Sequence, residues 1–436
     1  MALGGGNFTI TNKVLPGSYI NFVSASRASA SLSERGTVAI PMVLDWGESG
    51  KVFTVSLEDF QKDSLSIFGY DYTAEELKPI REVFANAIKV HFYRLNSDSV
   101  KATGGLATAK FGGVRGNALQ YVVSANVDEP SKFDVKVYLG TTLVSEQYGL
   151  TDASELEDND FIVWNKEGSL DVSTQALSSG TNGSEITGSQ HQTALDKFES
   201  FGFNTLCCAT ADSTVISLYI AYTKRLRDQV GAKFQTVVYK KETADYEGVI
   251  SVENDAKTTN KYELVFWVSG AEAGCAVDKS CTNKVYTGEY EIDVDYKQSE
   301  LEAGINAGKF MFHQVEDEVR VLTDINTFTT FTDEKNSDFS KNQVMRVLDQ
   351  IGNDIASLFN TKYLGLTPND NAGRIAFWND IVSHHKQLET IRAIQEFNPD
   401  EVVVEAVASD KGGVSVSDAV IPTVAMEKLY MTVVVK

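Results

Sequence analysis

Five histidines and four cysteines are the side chains here best suited to metal ligation, nucleophilic attack or proton transfer. His91, His191, His313, His384 and His385 are scattered, and none stands at a zinc spacing. His384 and His385 are neighbours on a predicted helix and point about 100° apart, so they read as part of a solvated face. Cys207 and Cys208 lie in the apolar, strand-like run Phe203–Ala209 and read as small buried thiols. Cys275 and Cys281 match no zinc pattern and have no histidine nearby. A disulfide between them would need suitable geometry, and synthesis in a reducing cytosol argues against it. No Gly-x-Ser-x-Gly elbow is present to expose a hydrolase nucleophile.

The glycines of Gly104-Gly105 and Phe111–Asn117 resemble a phosphate loop only superficially. Such a loop must open a helix, whereas Ala118–Val123 reads as a strand. The acidic run Glu155–Asp160 lacks EF-hand spacing and reads as a loop. No Walker lysine pattern occurs. The expectation is no catalytic residue, no metal site and no cofactor.

The elements that would carry such residues describe a packed, multidomain protein. At roughly 150 residues per domain, 436 residues imply about three domains; 42% hydrophobic and 10% aromatic content suits globular cores. Sixty acidic against 39 basic residues give a net charge of −21. Nucleic-acid binding replaces counterions with Lys and Arg, so this balance argues against it. Met1–Asn7 has no basic n-region or apolar run, so no secretory signal is visible. No stretch approaches the ~20 apolar residues of a membrane span, so no membrane insertion is expected.

The predicted fold class is α/β and α+β, multidomain, with an inserted β-sandwich-like module and extended arms. Residues 1–25 read as an arm in which Phe8 and Ile10 alternate with polar residues and Tyr19, Ile20 and Phe22 resume the pattern. Residues 26–97 read as a small α/β unit, with strands at 37–40, 52–55 and 90–95. Its helix carries Leu77, Ile80, Val83, Phe84 and Ile88 at helical spacing, and Thr73 with Glu76 supplies a capping box. Residues 98–187 show short alternating runs between turns, the pattern of a β sandwich, and end in a flexible polar linker at 178–184. Residues 188–334 alternate strand and helix, which implies a parallel sheet; Tyr262–Ala276 reads as a buried helix. Residues 335–436 hold two helices, the first capped by Ser340 and Gln343. A hairpin over 401–407 and 414–420 follows, and then a terminal strand.

Both ends are therefore apolar and extended. Bare strand edges recruit other chains. The predicted inter-subunit arm comprises Phe8, Ile10, Tyr19, Ile20 and Phe22 with Leu429, Tyr430, Thr432, Val433, Val434 and Val435. The predicted acceptor is the hairpin bearing Val402, Val403, Val404, Val414 and Val416.

Several stretches together resemble one family. Asn12–Phe22, followed by Arg27-Ala28 and Glu34-Arg35-Gly36, is similar to the N-terminus of contractile tail sheath proteins of Gram-positive myophages and phage-tail-like bacteriocins. Gly113–Asn117 is similar to a turn of that family, while Phe203–Leu206, Lys224–Asp228 and Trp267–Ala271 resemble its central domain. Met426–Val433 resembles its C-terminal strand. Cys275 and Cys281 depart from the small or polar residues expected there. The resemblance implies stacked hexameric rings around an inner tail tube, with arms inserted into neighbouring subunits. The partners it implies are the tube, baseplate and tail-terminator proteins. It also implies assembly in the bacterial cytoplasm and a contraction that drives the tube through a cell envelope. Neither phage nor bacteriocin origin is distinguished. Helix 341–360 or helix 374–395 is expected to touch the tube, with no basis for choosing. The rival reading is a cytosolic α/β enzyme with an appended β module.

Overall fold

The strands predicted at 37–40 and 52–55 form, but they belong to a larger sheet than their sequence neighbourhood suggests. The computed structural model describes residues 32–435. These divide into a first unit, residues 34–350 with 422–435, and a second, residues 32–33 with 351–421.

In the first unit, seven strands line up in the order Lys309–Phe310, Val249–Val252, Gln235–Tyr239, Thr205–Cys207, Thr37–Met42, Lys89–Arg94, Val52–Ser56. All pairings are parallel except the edge, where Val52–Ser56 runs antiparallel to Lys89–Arg94. Strands buried on both faces read as unbroken apolar runs. Val38, Ala39 and Ile40 are such a run, in the strand that joins the two halves. The small α/β unit at 26–97 and the alternation at 188–334, read separately from sequence, thus share a sheet. The register Val38↔Thr205 links residues too far apart for any local pattern to reveal.

Side chains alternate between two cores. Val38, Ile40, Val90 and Phe92 join one, together with Phe60, Ile80 and Trp267 from helices Leu57–Phe68, Lys78–Phe84 and Leu264–Gly274. Ala39, Tyr93 and Leu206 join the other, beneath helices Gly188–Phe198 and Ser213–Arg225. Helix Leu264–Gly274 is buried from Leu264 to Ala273, as its composition predicts. Gly270 lets it approach its neighbour, since a Cβ there would stand 2.2 Å from the Val83 carbonyl oxygen.

Residues 98–184 form two facing sheets. One holds Ser173–Ala176, Leu119–Ala125, Phe133–Leu139 and Thr142–Leu150; the other holds Lys101–Gly104, Ala107–Gly112 and Ile162–Trp164. Leu119, Tyr121 and Val123 alternate inward against Val135, Val137 and Leu139 to fill the sandwich. The supposed linker at 178–184 is instead tied down. Ser178 and Thr181 bridge to Thr103 and Val100, and the Asn182 amide donates to Asp45 Oδ1 at 2.7 Å. Asp98 accepts from the backbone and hydroxyl of Ser184, at 3.0 and 2.7 Å, where the module begins and ends.

Two predicted caps take other forms. The Thr73 hydroxyl donates to Asp71, and the first turn is a 3-10 segment, Glu75–Leu77, entered from Ala74. The Ser340 hydroxyl donates to the Ser337 carbonyl and closes the 3-10 turn Ser337–Ser340 before helix Asn342–Leu358 starts.

In the second unit, Leu358 packs with Tyr363, Phe377, Ile381, Val382 and Val402. Helix Asn371–Thr390 supplies three of these, and hairpin Val403–Ala406 / Val414–Ser417 lies beside it. Among the described residues, no helix is long and apolar enough to cross a membrane.

Candidate assembly interface

Residues 422–435 return to the first unit and are fastened at two points. The Ala425 amide donates to Gln343 Oε1 at 2.9 Å. Glu427 pairs with Lys341 and accepts from the Thr282 hydroxyl at 3.1 Å. Beyond that clamp the predicted strand residues make no backbone pairing among the described residues. Leu429, Tyr430, Val433, Val434 and Val435 are 71 to 90% exposed, and Thr432 is exposed too. Monomeric proteins seldom leave so much contiguous apolar surface in water. The predicted arm residues Phe8, Ile10, Tyr19, Ile20 and Phe22 lie outside the described residues.

The predicted hairpin forms as a two-stranded antiparallel sheet, with Val404 opposite Val416 and Ala406 opposite Val414. Val404 and Val414 pack on the second unit's core, while Val416 on the same face is 39% exposed. Val402, just before the first strand, is buried, and its carbonyl accepts from the Trp378 indole at 2.8 Å; Val403 faces the other way and is exposed. A lone two-stranded hairpin is marginal in water, and this one has no further strand on either edge among the described residues. Its turn is tied rather than loose. Asn369 donates to the Lys411 and Gly413 carbonyls at 3.0 and 2.9 Å, within the turn that joins the two strands.

The potential chemistry is buried in structural roles. His384 and His385 are 1% and 0% exposed, which corrects the solvated-face reading. Asp354 and Asp418 bond to them, so two polar neighbours satisfy the rings inside the core. Cys207 and Cys208 are buried as expected, and burial pushes the Cys207 thiol up to about 12. Cys275 and Cys281 are free thiols. A hydrogen bond from Cys281 holds Cys275 down to about 7, with Arg346 helping against burial.

Glu272, Cys281 and Asp324 bring ligand-type atoms within 4.8 Å of one another. Arg346 already occupies this cluster, with Nη2 at 2.6 Å from Glu272 Oε2 and 3.2 Å from Asp324 Oδ2. Burial drives the Glu272 carboxyl well upward, while Arg346 holds Asp324 down against its own burial. Glu272 Oε1 and Asp324 Oδ1 are buried and have no hydrogen-bond partner among the described residues. The Arg346 guanidinium already supplies a positive charge to this donor set, and a second cation beside it would be repelled.

Family models match along the chain. Residues 35–95 match the tail sheath protein Gp18 domain III N-terminal region, and residues 87–182 the phage tail sheath protein beta-sandwich domain. Residues 184–327 match the phage tail sheath protein central domain, and residues 334–436 the phage tail sheath C-terminal domain. A solved sheath tail protein from Desulfitobacterium hafniense is 32% identical and superimposes with a TM-score of 0.81, covering 95% of this chain and 99% of that one.

The chain belongs to the phage tail sheath family.

The Phage-like element PBSX protein XkdK of Bacillus subtilis is 30% identical to this sheath protein, over 99% of both chains. The helical sheath of the anti-feeding prophage in its contracted state shares the fold, at 13% identity and a TM-score of 0.56, over 97% of this chain and 99% of that one. The protein is a tail sheath protein, a structural subunit rather than an enzyme, and a component of a phage tail or tail-like particle. Sequence reasoning missed the clamp of Gln343, Lys341 and Thr282 on residues 425–427. A lone glutamate before an apolar run carries no signal that separates it from other surface acids.

Proposed function

We propose that this sheath protein polymerises as stacked hexameric rings, in a helical array around an inner tail tube, and joins its neighbours by strand exchange. Leu429, Tyr430, Thr432, Val433, Val434 and Val435 of one copy add to the hairpin bearing Val402, Val403, Val404, Val414 and Val416 of another, and the arm carrying Phe8, Ile10, Tyr19, Ile20 and Phe22 does likewise. Main-chain pairing gives such a joint affinity with little demand on sequence. Baseplate and tail-terminator proteins bound the array at its ends. Assembly occurs in the bacterial cytoplasm, and contraction then drives the tube through a target envelope.

One observation carries this reading: among the described residues, an exposed apolar segment without a strand partner occurs in the same chain as a two-stranded hairpin with no further strand on either edge. Contraction draws its energy from interfaces that bury more or better-matched surface in the shortened state. Surface charges that find partners only then contribute about 0–1 kcal/mol each, repeated over many subunits. Helix Asn342–Leu358 or helix Asn371–Thr390 faces the tube.

Electron microscopy of the purified protein tests the proposal. Striated tubes are expected from the full chain, and folded, unpolymerised particles from a chain lacking residues 429–436. Tubes of normal length from the truncated chain would overturn the strand-exchange joint.

A further inference from the structure

The second unit contains an apolar cleft of about 320 Å³ walled by Phe359, Tyr363, Phe377 and Val414. The Tyr363 and Phe377 rings lie 4.7 Å apart, and those of Phe359 and Phe377 5.6 Å. An apolar cavity of about 150 Å³ accepts benzene, so a phenyl ring fits here. Arg374 and Lys411 line the same cleft, and neither has an acidic partner among the described residues. Arg374 Nη1 donates to the backbone and side-chain oxygens of Asn369 at 3.1 and 3.0 Å. The nearby acids Asp370 and Asp410 accept instead from the Gly373 and Gly412 amides, at 2.8 and 2.9 Å. The cleft thus suits an aromatic ring flanked by carboxylates, which form strong charge-assisted hydrogen bonds with such cations.

The first unit presents that combination on a tied, exposed turn at residues 329–334. Asp245 accepts from the Thr329 and Thr330 amides at 2.7 and 3.1 Å. The Thr332 amide donates to the Lys335 carbonyl at 2.8 Å, and the Lys335 amide returns a bond to the Thr332 hydroxyl at 3.1 Å. Phe331 is 50% exposed, its ring edge-on to Phe328. Asp333 and Glu334 are exposed, with no side-chain partner among the described residues.

We propose that Phe331 of one copy seats in the cleft of another, with Asp333 and Glu334 set against Arg374 and Lys411. The inference rests on self-association of the chain and adds a side-chain joint to the strand exchange. Charge selects this occupant over the other apolar segments. Residues 429–435 contain no acid, and residues 1–31 contain none either, but carry Lys13 and Arg27. Other exposed rings have neighbouring acids already engaged: Glu146 accepts from Tyr148 itself, and Glu199, beside Phe201, pairs with Arg225.

Photocrosslinking of the full-length chain tests it, in tubes assembled from light and isotope-heavy copies. A benzophenone side chain in place of Phe331 should join light to heavy chains at residues 359–377 or 411–414. The same probe in place of Leu364, an exposed residue at the cleft, should capture residues 329–334. Capture of residues 429–435 or 1–31 at the cleft would overturn the proposal, as would adducts confined to single chains. Arg374→Glu should raise the protein concentration needed for tubes about tenfold, a loss typical of an interface anchor. Adding Asp333→Arg and Glu334→Arg to that chain should restore assembly, and a combined variant no better than Arg374→Glu would overturn the pairing. A parent chain that forms no tubes would overturn polymerisation itself. Crosslinking in concentrated solution then decides the joint separately, and the absence of light–heavy adducts there would refute it.

Discussion

The Thr282 hydroxyl donates to the Glu427 carboxylate at 3.1 Å, and this bond marks the last fixed point before the apolar segment 429–435. Lys341 holds the same carboxylate from the other side. A flexible segment rooted at a fixed point samples less volume than a free one, so its effective concentration at a nearby acceptor is higher.

Glu427→Ala should therefore separate anchoring from folding. Partly exposed ion pairs contribute about 0–1 kcal/mol, so the urea midpoint should barely move. Amide exchange at residues 425–428 should rise, and tubes should nucleate more slowly at equal protein concentration. Unchanged exchange across that stretch would show that the Gln343 contact alone holds the segment.

The hairpin offers a second test. Val416 stands opposite Val404 on the inward face, yet is 39% exposed. Val416→Asp should cost the monomer little, since substitutions at exposed positions usually shift stability by about 0.5 kcal/mol or less. A carboxylate there would lose its water once a further strand covered the face. Polymer yield in a pelleting assay should fall sharply while thermal unfolding stays near that of the parent.

Inside the first unit, Arg227 grips Asp349 with two bonds of 2.7 and 2.8 Å, and both side chains are nearly fully buried. Removing one partner from such a pair leaves an unpaired buried charge and costs about 3–5 kcal/mol. Asp349→Ala should lose stability on that scale in urea denaturation, and Asp349→Asn less, because the amide oxygen still accepts.

Burial holds the His191 ring down to about 4, where its Nδ1 meets the Tyr219 hydroxyl at 2.8 Å. An unfolded histidine titrates near ~6.5. Between these values the unfolded chain binds more protons than the folded one, so stability falls as the medium is acidified through this window and levels off below it. His191→Gln should flatten that part of the stability profile, measured as denaturant midpoints from about pH 7 to about pH 4.5.

The sequence reveals local structure more readily than long-range pairing. The buried helix Leu264–Gly274 and the hairpin valines each follow from spacing within a dozen or so residues. The shared sheet does not, because Thr37–Met42 pairs with Thr205–Cys207 across the whole inserted module. Nor do the buried histidines, because the acids that make burial tolerable, Asp354 and Asp418, are remote in sequence from His384 and His385. Ser178–Ser184 misleads for the same reason. Its polar residues look like loose tether, and their partners Val100, Thr103 and Asp45 lie far back along the chain.

The staple between Asp98 and Ser184 has a practical corollary. It brings the two stems of the β module side by side, so the sandwich hangs from the parent sheet like a bead on a closed loop. A foreign domain with adjacent termini could be grafted between those stems while the seven strands beneath kept their register. The same arrangement gives evolution a place to vary a decoration without redesigning the scaffold that bears it.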